Sequence, residues 1–222
     1  MNKEKIINGL KWFFHSYIWI GILVLIVDII SKNIIANNMN EGESITLIPG
    51  FLSITYTINR HAAFGIGPEN PLVSKILYIS IASIAIVAIS FFFAKNHKKL
   101  PGYAKAALAM IVFGALGNMI DRIFYSPEYL HALPGQPSGV VDFIDFFNGS
   151  ALHKIWHYIF NIADCGVVIG VFILIVYYCF IEGAEERKKE KEKAKAEPKD
   201  NTKVLSASEK KKLEEQEKNR VQ

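Results

Sequence analysis

Residues 158–181 read YIFNIADCGVVIGVFILIVYYCFI, and Asp164 is the only charged residue in this long apolar run. A helix needs about 20 apolar residues to cross the hydrocarbon core of a bilayer. The run therefore predicts a transmembrane helix. A carboxylate at the edge of such a helix is costly unless it is paired or faces a polar cavity. Asp164 is for that reason a candidate functional residue.

Three further apolar runs lie upstream. The first is longer than the apolar core of a signal peptide and no small-residue cleavage site follows it, so we expect a retained anchor. The chain is too apolar for an ordinary soluble domain. We predict an all-α membrane protein whose membrane domain covers residues 1–181, with four transmembrane helices at about 12–32, 72–94, 104–123 and 157–181.

Basic residues are unevenly distributed among the segments outside these spans. They precede the first span, lie between the second and third, and fill the tail at 182–222, which holds 13 of the 25 Lys and Arg residues and 11 of the 21 Asp and Glu residues. The other two connections are poor in Lys and Arg. The positive-inside rule then predicts that both termini are cytoplasmic. We expect the charged tail to be disordered or loosely helical.

The two outer connections differ in character. Residues 44–58, SITLIPGFLSITYTI, alternate loosely, are rich in β-branched residues and contain Pro49-Gly50 as a turn signal. They predict a small antiparallel sheet on the outer membrane surface. The second connection, 124–157, is rich in Pro and Gly, so we expect a mobile loop before Asp142.

Polar residues from all four spans are expected to share one depth near the outer face. Asp28 and Lys32 have i,i+4 spacing and can pair on one helix face, either within a site or as a pair that reaches the interface. Asp121 is followed by Arg122, a charge partner that suits a structural role. By this topology the cluster contains Asp28, Asn59, Asn118, Asp121, Arg122, Asp142, Asn161 and Asp164.

Asp142 and Asp164 have no basic neighbour in the sequence. Two carboxyls that approach each other share one proton, so one can protonate a peptide carbonyl while the other activates water. This pair indicates an intramembrane aspartic peptidase. Asp145, three residues after Asp142, is interpreted as a surface charge of the loop.

Other candidate sites are weaker. His153 and His157 have a spacing that can chelate a metal, but the HExxH pattern is absent. Gly114 and Gly117 lack the spacing of phosphate or dinucleotide loops and favour helix packing. Cys165 is interpreted as a packing residue, as is Cys179. We therefore expect no metal, no cofactor and no nucleic-acid partner.

Five motifs, in order, resemble those of the lipoprotein signal peptidase family, also called signal peptidase II. The resemblance covers about residues 12–181. The motifs are Asp28-x-x-Ser31-Lys32, Asn59-x-x-Ala62-Ala63-Phe64, Gly114-Ala115-Leu116-Gly117-Asn118-x-x-Asp121-Arg122, Val140-Val141-Asp142-Phe143 and Phe160-Asn161-x-Ala163-Asp164.

The resemblance implies that Asp142 and Asp164 form a catalytic dyad. It implies cleavage of a bacterial prolipoprotein just before a cysteine that already carries diacylglyceryl, near the outer face of the cytoplasmic (inner) membrane, without cofactor. It also implies a monomer among membrane lipids, inhibited by globomycin-type compounds. The residues expected to bind substrate or support the dyad are Asn59, Asn118, Arg122, Asn161, Ala163, Asp28, Lys32 and Asp121.

The sequence departs from the family pattern in two places. Arg60-His61 replaces the motif glycine after Asn59, and the connection around Asp142 is long. Two other function classes stay open on the residues alone. One is a small transporter or channel in which intramembrane polar residues form an ion path. The other is a membrane anchor whose tail recruits partners.

Overall fold

Four helices in the described part of the chain are long and apolar enough to cross a membrane: Ile18–Asn38, Leu72–Asn96, Gly102–Phe124 and Ile162–Phe180. The structure is a computed structural model that describes residues 3–60, 70–127, 129–131, 137 and 139–183. Contacts divide the chain into residues 1–179 and 180–222, and the fold described below is that of the first part.

The described elements follow one another in a simple order. Five α-helices are α1 (Lys3–Ser16), α2 (Ile18–Asn38), α3 (Pro71–Asn96), α4 (Gly102–Phe124) and α5 (Ile162–Val176), the last continued by a π-helical segment, Tyr177–Glu182. Four strands are β1 (Ser44–Ile48), β2 (Leu52–Asn59), β3 (Val140–Phe146) and β4 (Ile159–Phe160), and a short 3₁₀ helix covers Ala151–Lys154. The predicted combination of four apolar helices with a small antiparallel sheet is confirmed.

The first span differs from the prediction of a helix at 12–32. Tyr17 adopts a left-handed backbone conformation, with φ of 62°, and this ends one helix before the next begins. Residues up to Ser16 form the separate helix α1, and α2 continues to Asn38. Apolar content alone placed the start of the span too early, because α1 is itself rich in apolar residues.

Helices α2, α4 and α5 pack closely through small residues. A Cβ atom added to Gly114 would lie 2.6 Å from the carbonyl oxygen of Ala163, and one added to Gly117 would lie 2.6 Å from a carboxylate oxygen of Asp28. Real side chains cannot make such contacts, so both positions need glycine. The close approach brings the polar residues of α2 and α4 to the first turn of α5.

The sheet has four antiparallel strands in the order β1-β2-β3-β4. Strand β3 lies inside the connection predicted to be a loop, and that part of the prediction is wrong. Its sequence VVDFIDF carries two carboxylates and its first four residues are all buried, so the alternation of apolar and polar residues typical of an exposed sheet face is absent. The register pairs Thr57 with Asp142 and Asn59 with Val140.

A buried apolar cluster joins the sheet to the end of α2. The phenol oxygen of Tyr56 donates a hydrogen bond to the carbonyl oxygen of Leu130, 2.5 Å away, and Tyr56 is fully buried. This packing fixes β2 and β3 over the bundle end where the polar residues lie. The cluster consists of Ala36, Met39, Tyr56, Ile58, Leu130, Val141 and Phe143.

Some of the residues singled out in the sequence lie outside the described ranges. These include His61, the Ala62-Ala63-Phe64 part of the second motif and the tail from residue 184 onward. The expectations for these residues, and for a separate tail domain at 182–222, stay predictions.

Candidate active site

Asp142 is held on β3 by two side-chain amides. The Nδ2 of Asn59 donates to one carboxylate oxygen at 3.0 Å, and the Nδ2 of Asn161 donates to the other at 2.6 Å. Only 2% of Asp142 is exposed. Because Asn59 ends the neighbouring strand β2 and Asn161 precedes α5, the carboxylate is fixed from two separate elements.

Asp164 lies in the first turn of α5 and takes part in its N-terminal cap. The Oδ1 of Asn161 accepts from the backbone N–H of Asp164 at 2.8 Å, and Oδ2 of Asp164 accepts from the backbone N–H of Asn161 at 3.3 Å. This reciprocal pair is a capping box. The second oxygen, Oδ1, accepts from Nδ2 of Asn118 at 2.7 Å, so Asp164 is also tied to α4.

Asn161 connects the two carboxylates. An amide oxygen only accepts and an amide nitrogen only donates. The oxygen of Asn161 is used by the cap of α5, and its nitrogen therefore faces Asp142 and the Oδ1 of Asn118, 3.0 Å away. Asn161 is completely buried, so this orientation is fixed by its surroundings. One side chain thus sets the positions of Asp142 and Asp164 together.

Behind this pair lies a fully buried group of charges. The ammonium of Lys32 contacts Asp28 at 2.7 Å and Asp121 at 3.0 Å, and all three side chains have no exposed surface. Lys32 also donates to Oδ1 of Asn118 at 3.0 Å. The predicted pairing of Asp28 with Lys32 is confirmed by this geometry, but the alternative of a pair that reaches the interface is wrong because both groups are buried.

The expected pairing of Asp121 with Arg122 is wrong. Asp121 faces Lys32 and accepts from the backbone N–H of Val141 at 3.2 Å, whereas Arg122 projects along the helix. Its guanidinium donates to the carbonyl oxygen of Asn118 at 3.1 Å and lies 5.4 Å from the ring centroid of Tyr78. Adjacent residues on a helix point about 100° apart, so they face different partners.

The network connects all ten residues predicted for the site. Asp28 completes it by accepting from the backbone N–H of Ala163 at 2.8 Å, which satisfies an otherwise unpaired donor in the first turn of α5. The chain thus brings α2, α4, α5 and two strands of the sheet together through polar contacts at one end of the bundle.

A cavity of about 460 Å³ opens beside the two carboxylates. Asp142, Asp164 and Arg122 lie in its wall, and most of the remaining wall is apolar. A site of this kind combines a few fixed polar groups with a hydrophobic binding surface. The other lining residues are Asn59, Tyr78, Ala82, Ala115, Asn118, Met119, Val140, Tyr158, Ile159, Phe160, Val167 and Val168.

Burial, and to a smaller extent the nearby negative charge of Asp164, raise the pKa of Asp142 to about 8. Hydrogen bonds from Asn59 and Asn161 oppose the shift without cancelling it. At neutral pH Asp142 therefore holds a proton, and this property could not be assigned from the sequence. The geometry supplies a proton donor and a second carboxyl group beside one cavity.

The remaining candidates lie elsewhere. Asp145 is not a surface charge: it is 2% exposed and accepts from the hydroxyl of Thr55 at 2.7 Å, with Nδ1 of His153 3.7 Å away. Within the described ranges, no three His, Cys, Asp or Glu side chains are grouped to hold a metal ion. Cys165 and Cys179 are free thiols.

One ion pair beside the site was not predicted. Arg60 makes two contacts with the carboxylate of Glu41, at 2.5 and 2.9 Å, and its Nε donates to the carbonyl oxygen of Pro137 at 2.9 Å. It joins the turn after α2, the end of β2 and the segment before β3. These three residues are far apart in the sequence, so no local spacing indicates their contact.

The family model and the related sequences indicate one family. Residues 20–180 match the sequence model described as signal peptidase (SPase) II. The lipoprotein signal peptidase of Fusobacterium nucleatum is 39% identical over 165 residues, covering 74% of this chain and 86% of that protein. That of Staphylococcus aureus is 36% identical over 169 residues, covering 75% and 89%. A structure described as a bacterial membrane enzyme, solved by the in meso method at 1.9 Å, has a TM-score of 0.59 and 33% identity, covering 75% and 94%.

Proposed function

The chain belongs to the signal peptidase II family, and we propose that it is an intramembrane aspartic endopeptidase for diacylglyceryl-modified prolipoproteins. The coarser part follows from the family: this is a multi-pass membrane peptidase that acts on prolipoproteins. The finer part concerns the catalytic groups. The observation that carries it is the position of Asp142 and Asp164, both fixed by Asn161 at the wall of a largely apolar cavity.

In the proposed reaction the two carboxyls divide the proton transfers. Asp164, as carboxylate, takes a proton from a water molecule whose oxygen attacks the carbonyl carbon of the scissile peptide bond. Asp142 gives its proton to the carbonyl oxygen, which yields a neutral tetrahedral intermediate. When the C–N bond breaks, the leaving nitrogen takes the proton from Asp164 and Asp142 recovers its own. The raised pKa of Asp142 suits it to the donor role at neutral pH.

The cavity suits a substrate that stays partly in the lipid. Its apolar wall includes residues of α3, α4 and α5, which are themselves membrane helices. A prolipoprotein whose acyl chains remain in the bilayer can therefore approach from the side. Arg122 and Asn59 are proposed to bind the substrate backbone near the cleaved bond, because both line the cavity beside Asp142.

We further propose that the site faces the outer side of a bacterial cytoplasmic membrane. The polar network lies at the bundle end where α4 ends and α5 begins. The opposite end, where α3 passes into α4, carries four lysines, and basic residues favour the cytoplasmic side. These lysines are Lys95, Lys98, Lys99 and Lys105.

The proposal is tested with purified full-length protein and two forms of a prolipoprotein, one diacylglyceryl-modified and one unmodified. We expect a gel shift for the modified form only. Asp142→Asn and Asp164→Asn are each expected to lower the rate by about 10²–10⁴-fold, the range for loss of an acid or base catalyst.

Asp145→Asn is the matched control, because Asp145 is an equally buried carboxyl on the same strand and lies outside the wall of the cavity. It should retain cleavage. Full activity of a folded Asp142→Asn or Asp164→Asn variant would refute the dyad. A folded wild-type protein that cleaves neither substrate would refute the peptidase assignment and favour a transport function.

A further inference from the structure

Helix α1 (Lys3–Ser16) has an apolar face that is largely exposed. Ile6, Leu10 and Phe13 follow at i, i+4 and i+7, and Ile7 and Phe14 extend the same face. Of these, Ile7, Leu10 and Phe14 are 50–57% exposed. A face this apolar is unfavourable in water, so it requires an apolar partner.

The opposite face of α1 is mainly polar and carries one aromatic residue, Trp12, at the edge next to Lys5. Asn8, Lys11 and His15 follow at i, i+3 and i+7, and Lys5 lies at its margin. All 14 residues together extend only about 21 Å as a helix, which is too short to cross a bilayer. The helix is therefore amphipathic and does not span the membrane, in contrast to α2, which follows it directly.

The junction between α1 and α2 fixes where α1 lies. Tyr17 has a φ of 62°, so the chain turns there, and Ile18 begins a span. The ring of Tyr17 packs so closely against Gly102 at the start of α4 that a Cβ atom added there would clash with the hydroxyl of Tyr17. Because both α2 and α4 cross the membrane, α1 ends at the membrane boundary.

The charge at this bundle end is mainly positive, with Glu4 as the one acidic residue of α1. Helix α1 contributes the exposed residues Lys5 and Lys11, and the end of α3 with its connection to α4 contributes Lys95, Lys98 and Lys99. Basic residues at a membrane surface bind anionic lipid headgroups. The same end is opposite to the candidate active site, so this surface is separate from the proposed catalytic function.

We propose that α1 lies in the headgroup region of the bilayer, with its apolar face toward the acyl chains and Lys5 and Lys11 on anionic headgroups. An apolar face flanked by lysines is the pattern of an interfacial helix. The bilayer is the occupant favoured over a second copy of the chain, because the next residue after the junction already enters it and the exposed charges match anionic lipid.

The test uses full-length protein reconstituted in vesicles, with Cys165→Ala and Cys179→Ala as the background. A nitroxide label is placed at Leu10→Cys on the apolar face or at Asn8→Cys on the polar face as the matched control. Collisions of the label with oxygen, which is concentrated in lipid, are compared with collisions with a water-soluble nickel complex.

At Leu10 the ratio of oxygen to nickel collisions is expected to exceed that at Asn8 several-fold. The difference should be larger in an equal mixture of phosphatidylcholine and phosphatidylglycerol than in phosphatidylcholine alone, and Lys5→Gln with Lys11→Gln should remove this lipid dependence. Equal nickel access at both positions would place α1 in water. Low access of both reagents at Leu10 would mean that protein covers the face. Either result overturns the proposal, as does a lipid dependence unchanged by the lysine substitutions.

Discussion

Two pairs of carboxylates lie side by side in this protein, and they are neutralised in different ways. Asp28, Asp121 and Asp142 are buried, and Asp164 is half-buried. Asp28 and Asp121 share the ammonium of Lys32 at 2.7 and 3.0 Å. Asp142 and Asp164, by contrast, receive hydrogen bonds from neutral amides. The first group is a closed ion cluster. In the second, the hydrogen-bond donors found among the described residues are neutral amides. Burial and the nearby charge of Asp164 raise the pKa of Asp142, so Asp142 keeps a proton at neutral pH.

This difference in neutralisation suggests that the first pair serves the stability of the fold and the second pair serves proton transfer. A carboxylate in direct contact with a buried ammonium has its charge compensated, and this contact opposes its protonation. A carboxyl held only by amides can change its protonation state at a modest cost, which a proton-transfer reaction requires. Asn118 joins the two groups, since it accepts from Lys32 and donates to Asp164. The ion cluster thus orients the amide that holds Asp164, which we propose as a catalytic carboxylate.

The strongest test of this comparison removes the positive charge. In Lys32→Met, Asp28 and Asp121 become buried charges that have lost the ammonium they share, and this is expected to destabilise the protein by about 3–5 kcal/mol. The measurement is thermal or denaturant unfolding of the reconstituted protein. Combining it with Asp28→Asn and Asp121→Asn removes the unpaired charges and should recover much of the loss. Wild-type stability of Lys32→Met alone would show that the cluster does not hold the fold.

A second test separates the cap of α5 from the contact to Asp142. Serine is also a good N-cap but its side chain is too short to donate to Asp142 as the amide of Asn161 does. Asn161→Ser is therefore expected to lower cleavage at least tenfold while keeping most of the stability. Asn161→Ala loses the cap as well and should cost about a further 0.5–2 kcal/mol of stability.

Cleavage rates and unfolding of the same two preparations distinguish these effects. If Asn161→Ser cleaves at the wild-type rate, the link between the carboxylates has no catalytic role and Asn161 serves only as a cap.

The state of Asp142 gives a pH prediction. Its pKa is about 8 in the folded protein and about 3.9 for an unperturbed Asp, so between these values the folded state binds a proton that the unfolded state lacks. The contribution of this group to stability is complete below about pH 4 and is lost as pH rises through about 8. Cleavage should also decline as pH rises through about 8, because Asp142 then loses the proton that it is proposed to donate.

Asp142→Asn should abolish this part of the pH dependence of unfolding, whereas Asp145→Asn should keep it. Unfolding midpoints of the three proteins between about pH 5 and pH 9 provide the measurement. A wild-type slope retained in Asp142→Asn would assign the proton to another group.

The sequence predicts the positions of the membrane helices better than it predicts which residues contact each other between elements. Apolar runs reveal the four spans, because lipid requires long apolar helices. Polar residues at matching depths also indicate that one site forms. Strand β3 was missed because its carboxylates occur in VVDFIDF, where they resemble loop residues until the partners Asn161 and Thr55 are known.

The partners of charged residues were likewise not predictable from the sequence. Adjacency suggested Arg122 for Asp121, but packing of α2 on α4 brings Lys32 to it instead. The break at Tyr17 was also hidden, since a left-handed backbone at a non-glycine residue depends on tertiary contacts. Composition therefore predicts elements, and the choice of partner between elements needs the assembled structure.

The smallest expected effect concerns the ion pair of Arg60 with Glu41, which is compensated like the Lys32 cluster but lies at the edge of the sheet. In Glu41→Gln one charge is removed from a pair with exposures of 16% and 8%, so we expect a loss of only about 1 kcal/mol. Arg60 directly follows Asn59, which contacts Asp142. Because the neutral amide can still accept from Arg60, cleavage should fall only a few-fold. We expect this fall mainly in KM. A loss as large as that of Asn161→Ser would mean that this pair also positions the reactive carboxyl, and the division between compensated charges that hold the fold and uncompensated ones that react would then be wrong.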